Sequence, residues 1–333
     1  MSDETINNTF QVTAPARLSI SNIRGSIVVR PGDPGVIEVV AVKHGNFDNG
    51  RYSVEMNQDS DGGVRIETRA NDTFLGFLSH PPRVDYSLRL PQGVHLEASC
   101  VSSSLDVSDL EGIFRLKTIS GDIQLANLKG PLKLNSVSGD ISGSHLAGTL
   151  DVGTVSGRAR LLESDFPNAD ASAVSGDLIL QTALSGGPYQ FGSVSGSVRL
   201  LVPADTHCNA ELNSVSGSIR SSLPVTATRI GHGLKVTQIL GGGTSVRLKS
   251  VSGNLSFETE GVPATPVQAN MPSQAEPLSS VPPIPPIPPV PPLSGTPSST
   301  PAPAPLTTAE ILQRIERGEM TVDEAIKLMK NQS

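Results

Sequence analysis

The stretch LKLNSVSGDI, Leu132–Ile141, is the best starting point, because nearly the same phrase returns eighteen residues later as LDVGTVSGRA. Copies of the phrase share a branched residue followed by Ser-Gly: Ile119, Val137, Val155, Val174, Val194, Val215 and Val251. Successive copies up to Val215 lie 18 to 21 residues apart, and a gap of 36 residues follows. A fixed period of this length indicates a repeat architecture, in which each unit buries its apolar face against its neighbours.

Less regular copies extend the pattern in both directions. LSISNIRGSIVV begins at Leu18 and contains Gly25, and another copy runs from Leu96 to Val107 with serine in place of glycine. In the gap before Val251, LKVTQILGG has apolar residues at the positions that the pattern requires. The repeat domain is therefore predicted to span residues 15–258.

The phase of the apolar residues predicts strands. Leu132 and Leu134 alternate with polar residues, which is the two-residue period of a strand. The alternation then slips by one residue before Val137, so Asn135 and Ser136 are expected to face outward and Val137 inward. A slip of this kind marks a bulge or a corner. Each copy is therefore predicted to be two short strands joined by a bend.

The predicted fold class is all-β, a β-solenoid or β-helix-like stack of repeats of about 18–21 residues. One copy cannot bury its apolar face alone, so copies must stack, with neighbouring coils about 4.8 Å apart. A β-sandwich built from the same strands as hairpins is the alternative, because a two-residue period does not reveal which strands pair.

The glycines of the phrase are predicted to form the repeat turn. The two-residue alternation places them on the inward face, where they have no side chain to bury. This suits either a positive φ or a close approach of backbone layers. These turn glycines are Gly25, Gly121, Gly139, Gly157, Gly176, Gly196, Gly217 and Gly253. The serines before them are expected to form an outward row.

Asp122, Asp140 and Asp177 follow the glycine in their copies, and stacked carboxylates could coordinate calcium. Arg158 and Ser197 occupy the same place in other copies, so a role in turn hydrogen bonding is the better interpretation. We therefore expect no metal and no cofactor.

No catalytic residue is predicted. The histidines fall at unrelated phases of the repeat, and SVSG lacks the glycine two residues before serine that a nucleophile elbow needs. Cys100 and Cys208 lie far apart and are expected to be reduced and buried. A net charge of -7 without a Lys/Arg run excludes nucleic acid as the main partner.

The beginning of the chain, MSDETINNTFQVTAPARL, is acidic and polar where a secretory signal would be basic and then apolar. No window approaches the roughly 18 apolar residues of a membrane-spanning helix. A cytoplasmic location is therefore expected, with residues 1–14 disordered and no membrane span.

Residues 30–95 interrupt the repeat with four alternating strands. Between the third and fourth, Asn71–Arg83 contains two phenylalanines and two leucines in a loop. This loop either caps the end of the repeat core or is an exposed partner site, and capping is the interpretation that solenoid ends favour.

Two further regions follow the repeat. Residues 259–306 form a disordered Pro-rich linker, in which VPPIPPIPPVPP is expected to be a polyproline II rod. This rod is either a docking peptide or, as we expect, a spacer.

Residues 307–331 are predicted to form a small α-hairpin, because Thr307 with Glu310 and Thr321 with Glu324 each form a capping box. Helices this short are unstable alone, so the hairpin must associate with itself, with other copies or with a partner protein. The residues predicted to make this contact are Ile311, Leu312, Ile315, Ile326, Leu328 and Met329.

Residues 15–258 resemble the bacterial "putative adhesin" family of β-strand-repeat proteins, a domain of unknown function whose phrase t-v-S-G-d-i matches TISGDI, SVSGDI and AVSGDL. Residues 307–330 resemble the SHOCT-like hairpin, whose E-x-G-x-x-T-x-x-E-A pattern matches Glu316, Gly318, Thr321, Glu324 and Ala325. The resemblance implies a right-handed β-solenoid or β-roll and a non-catalytic role. It also implies, in some relatives, a link to cell-envelope stress and a hairpin used for oligomerisation or attachment.

The sequence therefore predicts a bacterial scaffold or interaction protein with peripheral envelope association as one option. The alternative is an exported carbohydrate-binding or carbohydrate-cleaving β-helix protein. Export and a cleft of acidic residues would distinguish this alternative from a scaffold.

Overall fold

The computed structural model describes residues 3–44, 52–70, 83–222, 226–230, 233–239, 243–259 and 265–266. The chain divides into two compact units, Met1–Ala269 and Asn270–Ser333, and all described residues belong to the first. The proposed hairpin and most of the predicted linker lie outside the described residues.

Every regular element in the described ranges is a strand. In chain order the strands are β1 (Glu4–Gln11), β2 (Arg17–Pro31), β3 (Val36–His44), β4 (Tyr52–Gln58), β5 (Val64–Ala70), β6 (Arg83–Leu90), β7 (Val94–Thr118), β8 (Ile123–Lys129), β9 (Leu132–Ser136), β10 (Ile141–Thr154), β11 (Ala159–Ala173), β12 (Leu178–Thr182), β13 (Tyr189–Ser193), β14 (Val198–Val202), β15 (Cys208–Ser214), β16 (Ile219–Ser221), β17 (Thr226–Ile230), β18 (Gly233–Ile239), β19 (Thr244–Ser250), β20 (Leu255–Thr259) and β21 (Thr265–Pro266).

The body of the repeat is a parallel stack. Before the Ser-Gly phrase, Leu132 lies opposite Phe114 on one side and Leu150 on the other. After the phrase, Ile141 lies opposite Ile123 and Ala159. We call one such coil a rung, and successive rungs are about 4.8 Å apart. The predicted solenoid is thus observed, and the copies do not fold as hairpins.

The core lies between the two strands of each rung. Inward residues form apolar columns, such as Leu116, Leu134 and Val152 before the phrase, and all three are nearly inaccessible. Among the described residues, the aromatic side chains of Phe114, Phe166, Tyr189 and Phe257 are fully buried. A narrow core of aliphatic columns therefore needs little aromatic volume.

The branched residue of the phrase lies outside the core cluster, although Ile119, Val137 and Val155 are buried, so the predicted inward column is observed only in part. Alternation continues through Ser136, whose side chain is fully buried, so Val137 falls on the opposite face and is absent from the core cluster. Val215 and Val251 are 50% and 44% exposed. Val137 itself is only 1% exposed although it lies outside the core cluster. The slip in the pattern falls at Val137 and Ser138, two residues later than the sequence suggested.

The N-terminal end of the stack departs from chain order. β5 pairs in parallel with the first part of β2, and β6 with the second part, so β5 and β6 form a rung outside β2. Part of residues 30–95, which were predicted to interrupt the repeat, therefore forms an additional rung. β4 and β3 then run antiparallel to β5 and β6. The loop Asn71–Arg83 falls almost entirely outside the described residues.

The first residues of the chain also differ from the prediction of disorder. β1 pairs antiparallel with β3 along its whole length, from Glu4 opposite Lys43 to Gln11 opposite Val36. Phe10 packs into the core cluster, which gives this strand an apolar anchor.

The C-terminal end departs from chain order in the same way. Val246 of β19 lies opposite Tyr189 on one side and Ala210 on the other, so the last rung in sequence is inserted between two earlier ones. β18 runs antiparallel to β15. The degenerate copy LKVTQILGG is therefore not a rung, because its apolar pattern is that of an antiparallel strand beside the outermost rung.

Candidate functional site

The turn glycines stack in one column, and their lack of a side chain is a steric requirement. A Cβ on Gly139 would lie 1.9 Å from the carbonyl oxygen of Gly121, and one on Gly157 would lie 2.1 Å from that of Gly139. The contact continues through Gly176, Gly196, Gly253 and Gly217. Real Cβ atoms do not approach backbone this closely, so alanine would force the rungs apart.

Only one of the predicted turn glycines combines close approach with a left-handed backbone. Gly25 has a φ of 130° and its Cβ would lie 2.0 Å from the Val84 carbonyl oxygen. The other seven are absent from the positive-φ residues of the described chain. Of the two explanations that the sequence left open, close approach therefore applies throughout.

A buried hydroxyl three residues before the glycine closes six of the seven Ser-Gly turns, and Ala173 takes its place before Gly176. Ser193, Ser214 and Ser250 accept a hydrogen bond from the glycine N–H at 2.8, 2.9 and 2.7 Å, whereas Thr154 donates to the Gly157 carbonyl at 3.1 Å. Ser136 donates to Gly139 in the same way. These are local side-chain to backbone bonds of the kind that define turns. Sequence reasoning placed Ser136 on the surface and so missed this role, although Ser or Thr precedes the valine in six copies.

The serines of the Ser-Gly phrase lie outside, as predicted. Their backbone N–H groups donate to the preceding rung, as Ser138 does to Ile119 and Ser156 to Val137, both at 2.8 Å. Their side chains are exposed. The phrase therefore contains two kinds of hydroxyl, one buried inside the turn and one in solvent. We call this turn the serine–glycine corner.

The aspartates after the glycine connect one rung to the next. Asp122 accepts a hydrogen bond from the backbone N–H of Asp140 at 2.9 Å, and Asp140 accepts one from that of Arg158 at 2.7 Å. Asp177 does the same for Ser197. Within the described ranges, no three His, Cys, Asp or Glu side chains are grouped so that they could hold a metal ion. The geometry of this row is that of turn hydrogen bonding.

A second corner, which sequence reasoning did not single out, repeats with the same period. Asp109, Asn127, His145 and Glu163 all have a positive φ, of 61°, 53°, 54° and 49°. We call this the left-handed corner. Its side chains pair between rungs: Asn127 donates to Asp109 at 2.8 Å and His145 contacts Glu163 at 3.1 Å. The Asn127 hydrogen bond lowers the pKa of Asp109.

Glycines close this corner as well. A Cβ on Gly130 would lie 2.0 Å from the carbonyl oxygen of Gly112, and one on Gly148 would lie 2.2 Å from that of Gly130. In the sequence these glycines end the phrases LEG, LKG and LAG, each 18 residues after the last. That spacing was a readable signal for the second corner.

The buried cysteines and Tyr86 lack the properties of nucleophiles. Burial raises the pKa of Cys100 to about 12 and that of Cys208 to about 11. Burial also raises the pKa of Tyr86 to about 12, and its hydroxyl bonds to Thr68 inside the stack. All three groups are therefore protonated and shielded near neutral pH.

The predicted contact residues of the hairpin, from Ile311 to Met329, lie outside the described residues. Among the residues that are described, there is no helix whose length and hydropathy would let it cross a membrane.

Solved structures that are similar to this chain include three bacterial proteins. A putative cell adhesion protein from Clostridium sporogenes has 9% identity and a TM-score of 0.27, over 77% of this chain and 100% of its own. A putative adhesin from Bacteroides fragilis has 12% identity and a TM-score of 0.38, over 77% and 97%. A putative lipid binding protein from Parabacteroides distasonis has 13% identity and a TM-score of 0.43, over 77% and 96%.

No curated protein matches the sequence. The family model described as Toastrack DUF4097 matches residues 16–265. Because this match covers 250 of the 333 residues, the chain belongs to the Toastrack DUF4097 family.

Proposed function

We propose that this protein is a non-catalytic scaffold, in which a rigid repeat is linked to a hairpin that binds other copies or a partner protein. The observation that supports this most is the use of the reactive side chains in the repeat. Buried hydroxyls close the turns and aspartates bridge the rungs, as Ser250 does for Gly253 and Asp140 for Arg158. These hydroxyls and carboxylates are thus already engaged in holding the repeat together.

The repeat is well suited to hold binding elements at fixed positions. Nearly every strand of its body pairs with a neighbour on both sides, and parallel pairing in register leaves little freedom between rungs. A hairpin that binds weakly on its own would bind more tightly when several copies are held together, because linking raises their effective concentration. The proposal includes a cytoplasmic location with peripheral attachment to the cell envelope under stress.

The oligomerising role is tested by sedimentation velocity on the full chain. We expect an assembly that dissociates on dilution, because the apolar contacts of two short helices are weak. Ile315→Glu and Leu328→Glu should each yield monomer, since a buried charge has no partner there. Gln313→Glu, which adds the same charge at a polar position, is the matched control and should leave assembly unchanged.

A full chain that is monomeric at every concentration would contradict self-association. Partner attachment would then be examined by co-purification from the native host with the full chain as bait and Leu328→Glu as the comparison. Recovery of the same proteins by both would contradict the hairpin's role as well.

A further inference from the structure

A trough crosses the outer face of the repeat where β8, β10 and β11 lie side by side. Its volume is about 390 Å³, within the range of small-ligand sites. The side chains that line it are Asp106, Gln124, Ala126, Ser142, Ser144, Arg160, Leu162 and Glu163. None of these positions belongs to either corner column except Glu163.

The strand register explains the shape of the trough. Gln124 lies opposite Asp106 on one side and Ser142 on the other, and Ser142 lies opposite Arg160. Asp106 and Arg160 are thus three rungs apart, or about 14 Å. Ala126 and Ser144 make a second row beside them. Short side chains form the floor, and longer ones form the two walls.

The charges in the trough are not equally available. Asp106 is held by Arg30 through two hydrogen bonds of 2.8 Å. Glu163 contacts His145 at 3.1 Å. Arg160 makes no hydrogen bond or ion pair with any described residue and is exposed. The guanidinium of Arg160 is therefore the positive charge of the trough that remains free for a ligand.

Backbone groups at the trough floor are already used. β10 pairs in parallel with β8 on one side and β11 on the other, so a peptide cannot add here by strand pairing. A ligand must instead be recognised by side chains. The side chains of the trough offer one planar cation, one amide, two hydroxyls and the apolar surface of Leu162 and Ala126.

We propose that this trough binds an acidic saccharide. The guanidinium of Arg160 would hold a sugar carboxylate through two parallel hydrogen bonds, which is the geometry arginine favours. Gln124, Ser142 and Ser144 would bond to hydroxyl groups, and Leu162 would contact the C–H face of a ring. A hydroxyl-rich anion matches this set of groups better than an acidic peptide, which has few side-chain hydroxyls to satisfy them. The site does not depend on the hairpin, so it stands apart from the scaffold role.

The test is isothermal titration of the full chain with tetragalacturonate. We expect saturable binding that weakens with salt, and no binding of neutral maltotetraose. Arg160→Gln should weaken binding about tenfold or more, because a charged hydrogen bond is lost, while Arg160→Lys should fall between Gln and the parent chain. Ser144→Leu should also weaken binding by filling the floor.

Arg220→Gln is the matched control, since Arg220 lies on the same column of outer positions, four rungs from Arg160 and outside the trough. It should leave affinity unchanged, and thermal unfolding should be the same for all variants. Absence of binding to tetragalacturonate overturns the proposal. So does equal binding of maltotetraose, of tetraglutamate or of phosphatidylglycerol vesicles, and so does equal loss in Arg160→Gln and Arg220→Gln.

Discussion

The serine–glycine corner and the left-handed corner both recur over successive rungs of the body, but they differ in the property that limits their residues. At the serine–glycine corner the backbone dihedral angles are ordinary, but there is no room for a side chain, because a Cβ on Gly139 would lie 1.9 Å from a carbonyl oxygen. At the left-handed corner residues such as Asn127 and Glu163 keep their side chains in solvent and accept a positive φ instead. The first corner is limited by packing, whereas the second is limited by backbone conformation at its polar residues and by packing only at its glycines.

This difference teaches how a repeat tolerates variation. Steric exclusion favours glycine, and Ser103, which stands in the same column, is fully buried with a hydroxyl that has no hydrogen-bond partner among the described residues. A left-handed backbone is a cost of about 1–2 kcal/mol that asparagine or aspartate reduces through local hydrogen bonds. Asp, Asn, His and Glu can therefore alternate at the second corner.

The largest effect is expected where the packing of the first corner is broken. Gly139→Ala should destabilise the repeat by about 3 kcal/mol, because a methyl group cannot fit against the Gly121 carbonyl. Gly192→Ala is the control, since a Cβ there meets nothing within 4 Å, and it should be neutral or stabilising by up to about 1 kcal/mol. Urea unfolding measures both, and equal midpoints would contradict the steric explanation.

An intermediate effect is expected from the two hydroxyls of one copy. Ser250→Ala removes the acceptor of the Gly253 N–H and should cost about 1–3 kcal/mol, because a buried donor is left without a partner. Ser252→Ala changes the exposed serine two residues later and should stay within about 0.5 kcal/mol. Thermal unfolding of the two variants makes the comparison, and the reverse order would refute the buried role of the first serine.

The smallest effect is expected at the left-handed corner and has the opposite sign. Glu163→Asn should stabilise the chain by about 0.5–1 kcal/mol, because asparagine tolerates a positive φ better than glutamate. The exposed contact with His145 that it removes contributes little. Glu163→Gln, which removes the charge from the same contact and keeps an unbranched residue at the positive φ, is the control. A loss of stability in Glu163→Asn, measured by urea unfolding, would contradict the prediction.

Much of the stack could be predicted from the sequence, because its core columns follow a two-residue period that one face must obey. Leu132 and Leu134 face inward as their spacing indicated, and the glycine column forms where the phrase repeats. The inward turn of Ser136 could not be read in the same way. A buried hydroxyl bonded to its own turn and an exposed hydroxyl look alike in sequence, so the valine beside it was assigned to the wrong face.

The ends of the stack were harder to predict for a different reason. Strand pairing between β19 and both β13 and β15 depends on which edges are free after the body has formed, and apolar spacing does not record this. β18 has the same alternation as a rung but runs in the opposite direction. The trough depends on side chains such as Gln124, Ser142 and Ser144, which become neighbours only when the rungs stack.

The exchanged order of the last rungs has a consequence for biosynthesis. A chain emerging from the ribosome makes β15 and β16 before β19 and β20, yet the later pair must end up against β13 and β14. Strands β15 and β16 therefore cannot take their final place in the stack until β19 and β20 have been made. Closure of the C-terminal end must wait for residues 244–259, so a nascent chain that stops short of them leaves an open parallel edge, which is a feature that quality-control proteases and chaperones recognise.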